Sequence, residues 1–265
     1  MSKTPLNITP LSALRDNYIW TLSHNSQCII VDPGDEKPVI QWLEQTKNNL
    51  SALLITHRHW DHTNGIHNLK PYLKGPIIGP ECSKIPCDIT LKDQQSLDLG
   101  SYLHTEHELL LQAIATPGHT DEHLCYIIDN QYLLTGDTLF SGGCGRIFDG
   151  TAEQLYHSLE KIALLNDELL IYCGHEYTLD NLKFALTLEP NNRDLHEHYI
   201  LVKNKTELNE CTLPSTLAIE KKINPFLRAN NHHIQEHLTK QTGDHINQPI
   251  QAFKHMRALK DQFNP

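Results

Sequence analysis

The 265-residue chain contains no uninterrupted apolar stretch of about 18 residues, so nothing in it reads as a membrane-spanning helix. Its Lys and Arg residues form no run, and 22 of them against 32 Asp and Glu leave a formal charge of −10. Nucleic acid is therefore a poor partner, because phosphate contacts need clustered cations. The opening MSKTPLNITP has neither a basic start nor an apolar run, the two parts an export signal requires. The seven cysteines are odd in number and lack tight, regular spacing, which argues against a disulfide framework. Cys82 and Cys87 could be half of a zinc clip, but no second pair matches them. Reduced thiols in a soluble, cytoplasmic protein are expected. Internal repeats and low-complexity segments are absent too.

What is present is an ordinary globular composition, 39% hydrophobic and 20% charged, with 18 histidines as its one unusual number. The length suits one large domain, or a main domain of roughly 170 residues with a small second one. Strand-like runs dominate the first half: Tyr18–Leu22, Cys28–Val31, Leu50–Ile55, Leu109–Ala115, Leu124–Ile128 and Tyr132–Leu134. A helix is expected from Thr151 to Leu165, because Thr151 and Gln154 form a capping box and Leu155, Leu159 and Ile162 follow helical spacing. Leu169–Cys173 is the last clear strand. Beyond about Leu179 the periodicity is helical, in Leu182–Leu188, Leu195–Lys203 and Ile250–Phe263, with Pro190, Pro214, Pro225 and Pro249 at the joints.

Thr56-His57-Arg58-His59-Trp60-Asp61-His62 directly follows the run Leu50–Ile55, so four potential metal ligands leave the end of a buried strand. Alternate residues of an extended chain point the same way. His57 and His59 can therefore grip one ion, and the following turn offers Asp61 and His62 to a second. His119, Asp137 and His175 each follow a strand-like run and are each preceded by Gly, which suits a tight turn. A single histidine among 18 is more often a structural residue than a ligand. The grouping is another matter, because a compact H-x-H-x-D-H joined by three strand-end ligands points to a metal centre. Twelve other histidines, His232, His233 and His237 among them, lack such context.

These residues resemble the metallo-β-lactamase superfamily, which implies a four-layer αββα sandwich with a metal site at one edge. The resemblance implies His57, His59 and His119 on a first ion, Asp61, His62 and His175 on a second, and Asp137 bridging them. Asp32, in Ile30-Val31-Asp32-Pro33-Gly34, matches a position that supports the ligand loop; as a plain sequence it is also a good turn residue. Asp16-Asn17-Tyr18, Gly143 to Phe148 with Gly150-Thr151-Ala152, Gly174 to Thr178, Asn224 to Arg228 and Met256 to Phe263 are similar to the glyoxalase II group, the hydroxyacylglutathione hydrolases. Membership implies a catalytic domain at 1–175 and an α-helical glutathione-binding domain at 176–265. Arg146, Phe148, Tyr177, Arg257 and Lys260 would then contact substrate. Arg257 and Lys260 lie three apart on a helix and share a face, where a carboxylate could dock.

The implied reaction is hydrolysis of S-D-lactoylglutathione, and of related 2-hydroxyacyl glutathione thioesters, to glutathione and D-lactate, the second step of methylglyoxal detoxification. Two divalent ions bridged by Asp137 would lower the pKa of a shared water and present hydroxide to the thioester, with Asp61 helping to orient it. Zinc is the first expectation, and iron or manganese suits the same ligands. A monomer acting on a small molecule, with no nucleic-acid or membrane partner, is expected. The alternatives are a mononuclear-iron persulfide dioxygenase or a lactonase of the same fold, or a non-catalytic protein stabilised by metal. Structural zinc sites close their coordination with four ligands, which seven shared ligands do not resemble.

Overall fold

In the computed structural model, which describes residues 6–264, every apolar run of the first half is a strand. The chain forms two compact units, the first running to Ala115 and including Glu122–Gly136, the second made of Thr116–Asp121 and the chain from Asp137 onward.

The first unit opens with β1 (Asn7–Ala13), β2 (Asn17–His24) and β3 (Gln27–Val31), joined as antiparallel hairpins. Helix α1 (Glu36–Thr46), capped by the Asp35 side chain on Lys37 N, returns the chain to β4 (Asn49–Leu54), parallel to β3. Short helices α2 (Trp60–Thr63) and α3 (Ile66–Leu69) precede β5 (Ile77–Pro80) and β6 (Ile89–Leu91), and the sheet runs in the order β1-β2-β3-β4-β5-β6. β4 reads as a nearly continuous apolar run because a central parallel strand is covered on both faces. Ile19, Ile30, Val39, Leu53, Ile55 and Leu69 form the core between this sheet and its helices. Next come β7 (Ser96–Asp98), α4 (Gly100–Leu103), β8 (Leu110–Ala115), β9 (Leu124–Ile128) and β10 (Tyr132–Gly136), in which β7 to β10 form an antiparallel meander. Two bonds tie the start of this meander's β9 region to the end of β4: Leu124 N donates to Thr56 O at 2.9 Å and the Tyr126 hydroxyl to Ile55 O at 2.6 Å.

The second unit contains a two-residue-per-arm hairpin, β11 (Leu139–Phe140) with β12 (Gly143–Cys144), and helix α5 (Ala152–Ala163). The expected capping box is present: Gln154 N donates to Thr151 Oγ1, and Thr151 N to Gln154 Oε1. β13 (Leu170–Cys173) leads to α6 (Thr178–Leu188) and α7 (Arg193–Glu207). β14 (Ser215–Thr216), α8 (Leu217–Ile223), a 3-10 turn at Pro225–Arg228, α9 (His232–Thr242) and α10 (Pro249–Gln262) complete it. Leu182, Ala185, Leu195, Val202 and Ile223 form its helical core. The sequence pattern turns helical beyond about Leu179, whereas the compact units part at Gly136 and Asp137, because α5 and the β11–β12 hairpin pack with the helices that follow. Among the described residues, no helix is long and apolar enough to cross a membrane.

Candidate metal centre and the adjoining surface

Because β3 and β4 are parallel, their C-terminal ends lie side by side, and Asp32 N donates to Leu54 O at 3.0 Å. Asp32 has φ of 51°, a left-handed conformation that Asp tolerates. Its carboxylate is thereby aimed at the following loop, where Oδ1 accepts from Thr56 N at 2.8 Å and Oδ2 from Thr56 Oγ1 at 2.7 Å. Oδ2 also faces His62 Nδ1 at 3.1 Å, which holds the ring proton on Nδ1 and leaves the Nε2 lone pair as a ligand. Thr56 Oγ1, its own proton given to Asp32, faces His57 Nδ1 at 2.9 Å and must accept there, so His57 too presents Nε2. One buried carboxylate thus sets the tautomers of two ligands.

His57 Nε2 lies 3.1 Å from His59 Nδ1. Two nitrogens on one tetrahedral ion, each at about 2.0 Å, stand about 3.3 Å apart, so the pair fits a shared ion. Arg58, between them, points the other way: Glu122 accepts from Arg58 N at 2.9 Å and pairs with its guanidinium. In α2, His62 Nε2 lies 3.6 Å from Asp61 Oδ2, and Asn17 Nδ2 donates to Asp61 O at 3.2 Å and Oδ2 at 3.1 Å. Asn17 was visible in the sequence only as part of a motif, without a role. Sequence reasoning missed His123 altogether: it is fully buried, and its ring stacks on His57 with centroids 4.9 Å apart. No spacing marks it as a member of the ligand set.

The second unit brings together the remaining three predicted ligands. Asp137 Oδ2 lies 3.5 Å from His119 Nε2 and 3.3 Å from His175 Nε2, so one carboxylate oxygen sits beside two imidazoles. His119 Nδ1 faces Arg146 O at 2.7 Å and donates to it, which again leaves Nε2 for a ligand role. Gly145 is required here, since a Cβ would sit 1.9 Å from Asp137 O. Buried, tautomer-fixed imidazoles grouped around carboxylates are the donor set of a divalent-metal site, and the residues present fit one.

Next to these ligands lies a surface built on the β11–β12 hairpin. Four side chains hold that hairpin: Asn181 Nδ2 on Ser141 O, Asn224 Nδ2 on Phe140 O and Gly143 O, Glu220 accepting from Ser141 Oγ and Gly142 N, and Arg257 Nη1 on Cys144 O at 3.0 Å. The Asn224-to-Arg228 motif is thereby explained as a brace. Phe148 is 60% exposed, with its ring edge-on to His119 at 5.3 Å. Tyr177 stacks on His175 at 4.7 Å and 5°. Arg146 Nε is 3.3 Å from Asp261 Oδ1. Lys260 Nζ donates to Asp180 O at 3.2 Å between the rings of Phe184 and Phe263, and burial, followed by the charge of Arg257, pushes its pKa down to about 8. Arg257 is buried, and its donors go to the hairpin and to Asp261. Burial pushes the Cys144 thiol up to about 11 despite the pull of Arg257, so its thiolate is disfavoured.

Residues 15–175 match the family described as Metallo-beta-lactamase superfamily, and residues 176–263 the one described as Hydroxyacylglutathione hydrolase C-terminus. The chain is 42% identical to the hydroxyacylglutathione hydrolase of Nitrosomonas eutropha, over 97% of this chain and 99% of that one. It is 43% identical to that of Shewanella halifaxensis, over 97% of this chain and all of the relative. Among solved structures, ETHE1 from Myxococcus xanthus has a TM-score of 0.63 at 22% identity, covering 97% of this chain and 100% of that one, a likeness of fold.

Proposed function

The chain belongs to the hydroxyacylglutathione hydrolase family of the metallo-β-lactamase superfamily, and from that membership we propose that it hydrolyses S-D-lactoylglutathione and related 2-hydroxyacyl glutathione thioesters to glutathione and D-lactate or its analogues. It has the metallo-β-lactamase fold with an added C-terminal helical part. The observation that carries the substrate reading is the aromatic and cationic surface of Arg146, Phe148, Tyr177 and Lys260 in the same unit as His119, Asp137 and His175. A glutathione carboxylate needs a local cation on a chain of charge −10, and Arg146 and Lys260 offer one. On this reading residues 1–175 are the catalytic domain and 176–265 the glutathione-binding domain of a cytoplasmic monomer.

In this proposal His57, His59 and His119 would hold one divalent ion, Asp61, His62 and His175 would hold a second, and Asp137 would serve both, with zinc, iron or manganese suited to the donors. Such a pair, when bound, supplies hydroxide near neutral pH by acidifying water. Asp61, braced by Asn17, orients the attacking water by accepting its hydrogen bond. Phe148 and Tyr177 shield the thioester from bulk solvent, and Arg146 and Lys260 hold the glutathionyl part. The departing thiol has a pKa of about 8.5, so it leaves as thiolate without a protein acid. Purified enzyme mixed with S-D-lactoylglutathione should remove the thioester absorbance, and a chelator should stop it. Turnover untouched by chelation, or a metal-filled protein that leaves the thioester intact, would overturn the reading.

Lys260 gives this proposal a pH signature. Burial disfavours its ammonium, so the charge that holds the substrate is largely present at pH 7, half gone near pH 8 and lost as pH rises further. KM should rise roughly tenfold between pH 7 and pH 9.5 with kcat far less affected, the worth of one charge-assisted bond. Lys260→Met should have the raised KM at pH 7 and a flat profile above it.

A further inference from the structure

Helix α9 opens on Asn231, whose side chain accepts from His233 N at 2.9 Å and fixes the first turn. The turn reads His232-His233-Ile234-Gln235-Glu236-His237. Ile234 and Leu238 are fully buried, which turns His232, His233 and Glu236 to the exposed side. Helical spacing sets Glu236 four residues after His232 and three after His233, and His237 four after His233, so each histidine has a partner one turn away. The structure brings them together: ligand atoms of His232, His233 and Glu236 all lie within 4.8 Å of one another, and His232 Nδ1 is 3.6 Å from Glu236 Oε1. His233, Glu236 and His237 also line a cavity of about 540 Å³. Two of the cations on that cavity stand beside acids, Arg228 on Glu189 at 2.7 Å and Lys222 near Asp194 at 3.6 Å, and Lys240 is the third.

We infer that α9 carries a surface site for a late first-row divalent ion, held by His232, His233 and Glu236 with His237 at its edge. Imidazole with one carboxylate suits zinc, nickel and copper, and water completes the shell at so exposed a position, so the ion exchanges freely. The site shares no residue with the proposed catalytic centre, and its test does not depend on that centre's chemistry.

Dialysed, metal-loaded protein is titrated with Ni²⁺ by calorimetry while amide resonances are followed by NMR. One further Ni²⁺ should bind per chain, and substoichiometric Ni²⁺ should first broaden the amides of residues 232–237. His233→Ala and Glu236→Gln should each weaken this event by at least roughly tenfold, the scale of loss when a metal's protein support is cut. His157→Ala, at an exposed histidine on α5, should leave it unchanged. All three positions are exposed, so thermal midpoints should match the parent and separate loss of binding from loss of fold. Absence of a further ion, equal affinity in His233→Ala, or first broadening elsewhere would overturn the inference.

Discussion

Asp32→Ala should strip the protein of metal at concentrations that leave the parent loaded, lowering affinity by roughly 10–100-fold and thioester hydrolysis with it. The reason lies in how much one side chain does. Asp32 is 4% exposed and accepts from Thr56 N and Thr56 Oγ1 while fixing the proton on His62 Nδ1. Its removal leaves three buried donors without an acceptor, a loss of about 3–5 kcal/mol. It also frees Thr56 Oγ1 to turn, and with it the tautomer of His57. Asp32→Asn separates the two effects. Asn tolerates the positive φ and keeps the volume, but it has one oxygen and turns an NH₂ toward a donor. It should recover much of the stability while still binding metal poorly. Metal content by atomic spectroscopy and melting midpoints check both variants, and an Asp32→Asn protein that loads like the parent would sink the tautomer argument.

How far the sequence revealed this arrangement depends on whether a signal is local. H-x-H-x-D-H, the strands rich in Ile, Leu and Val, and the Thr151 capping box depend on near neighbours; the strands and the cap are found where the pattern put them, and the motif follows β4, with Asp61 and His62 in the short helix α2 rather than in a turn. β1 was missed: it is a half-exposed edge strand with Pro10 inside it, so it shows no apolar run. Helix α1 was missed as well, hidden behind Pro33 and Gly34 and carrying Pro38 in its first turn, where proline is tolerated. The supporting residues are less legible still. Asn17 reaches Asp61 across 44 positions, Glu122 reaches Arg58 across 64 and Glu220 reaches Ser141 across 79, and no periodicity encodes such pairings. His123 is the plainest case, a buried imidazole that looks like any of the others until the fold stacks it on His57.

Arg257 and Lys260 share a helix face in the sequence, yet their substitutions should fail differently. Arg257 is 6% exposed; its Nη1 donates to Cys144 O at 3.0 Å and Gly145 O at 3.4 Å, its Nε and Nη2 reach Asp261 Oδ1, and its plane lies 5.3 Å from the Phe226 ring centre. Arg257→Ala therefore leaves two carbonyls with a lost donor and a cavity over Phe226, about 3 kcal/mol of stability and roughly 6–12 °C in Tm for a chain of this size. Because those carbonyls belong to the hairpin that continues to Arg146 and Phe148, KM should rise as well. Arg257→Lys should not rescue either quantity, since one ammonium cannot span a hairpin carbonyl and Asp261 as a planar fork does. Lys260→Met, by contrast, should raise KM with Tm within about 2 °C of the parent, its Nζ having one carbonyl acceptor and two aromatic faces that a thioether also fits. Differential scanning calorimetry with steady-state kinetics on the three variants decides the matter. An Arg257→Ala protein with unchanged Tm and raised KM would make Arg257 a direct substrate contact, and a fall in Tm that Arg257→Lys leaves uncorrected would make it the brace of the hairpin that carries the contacts.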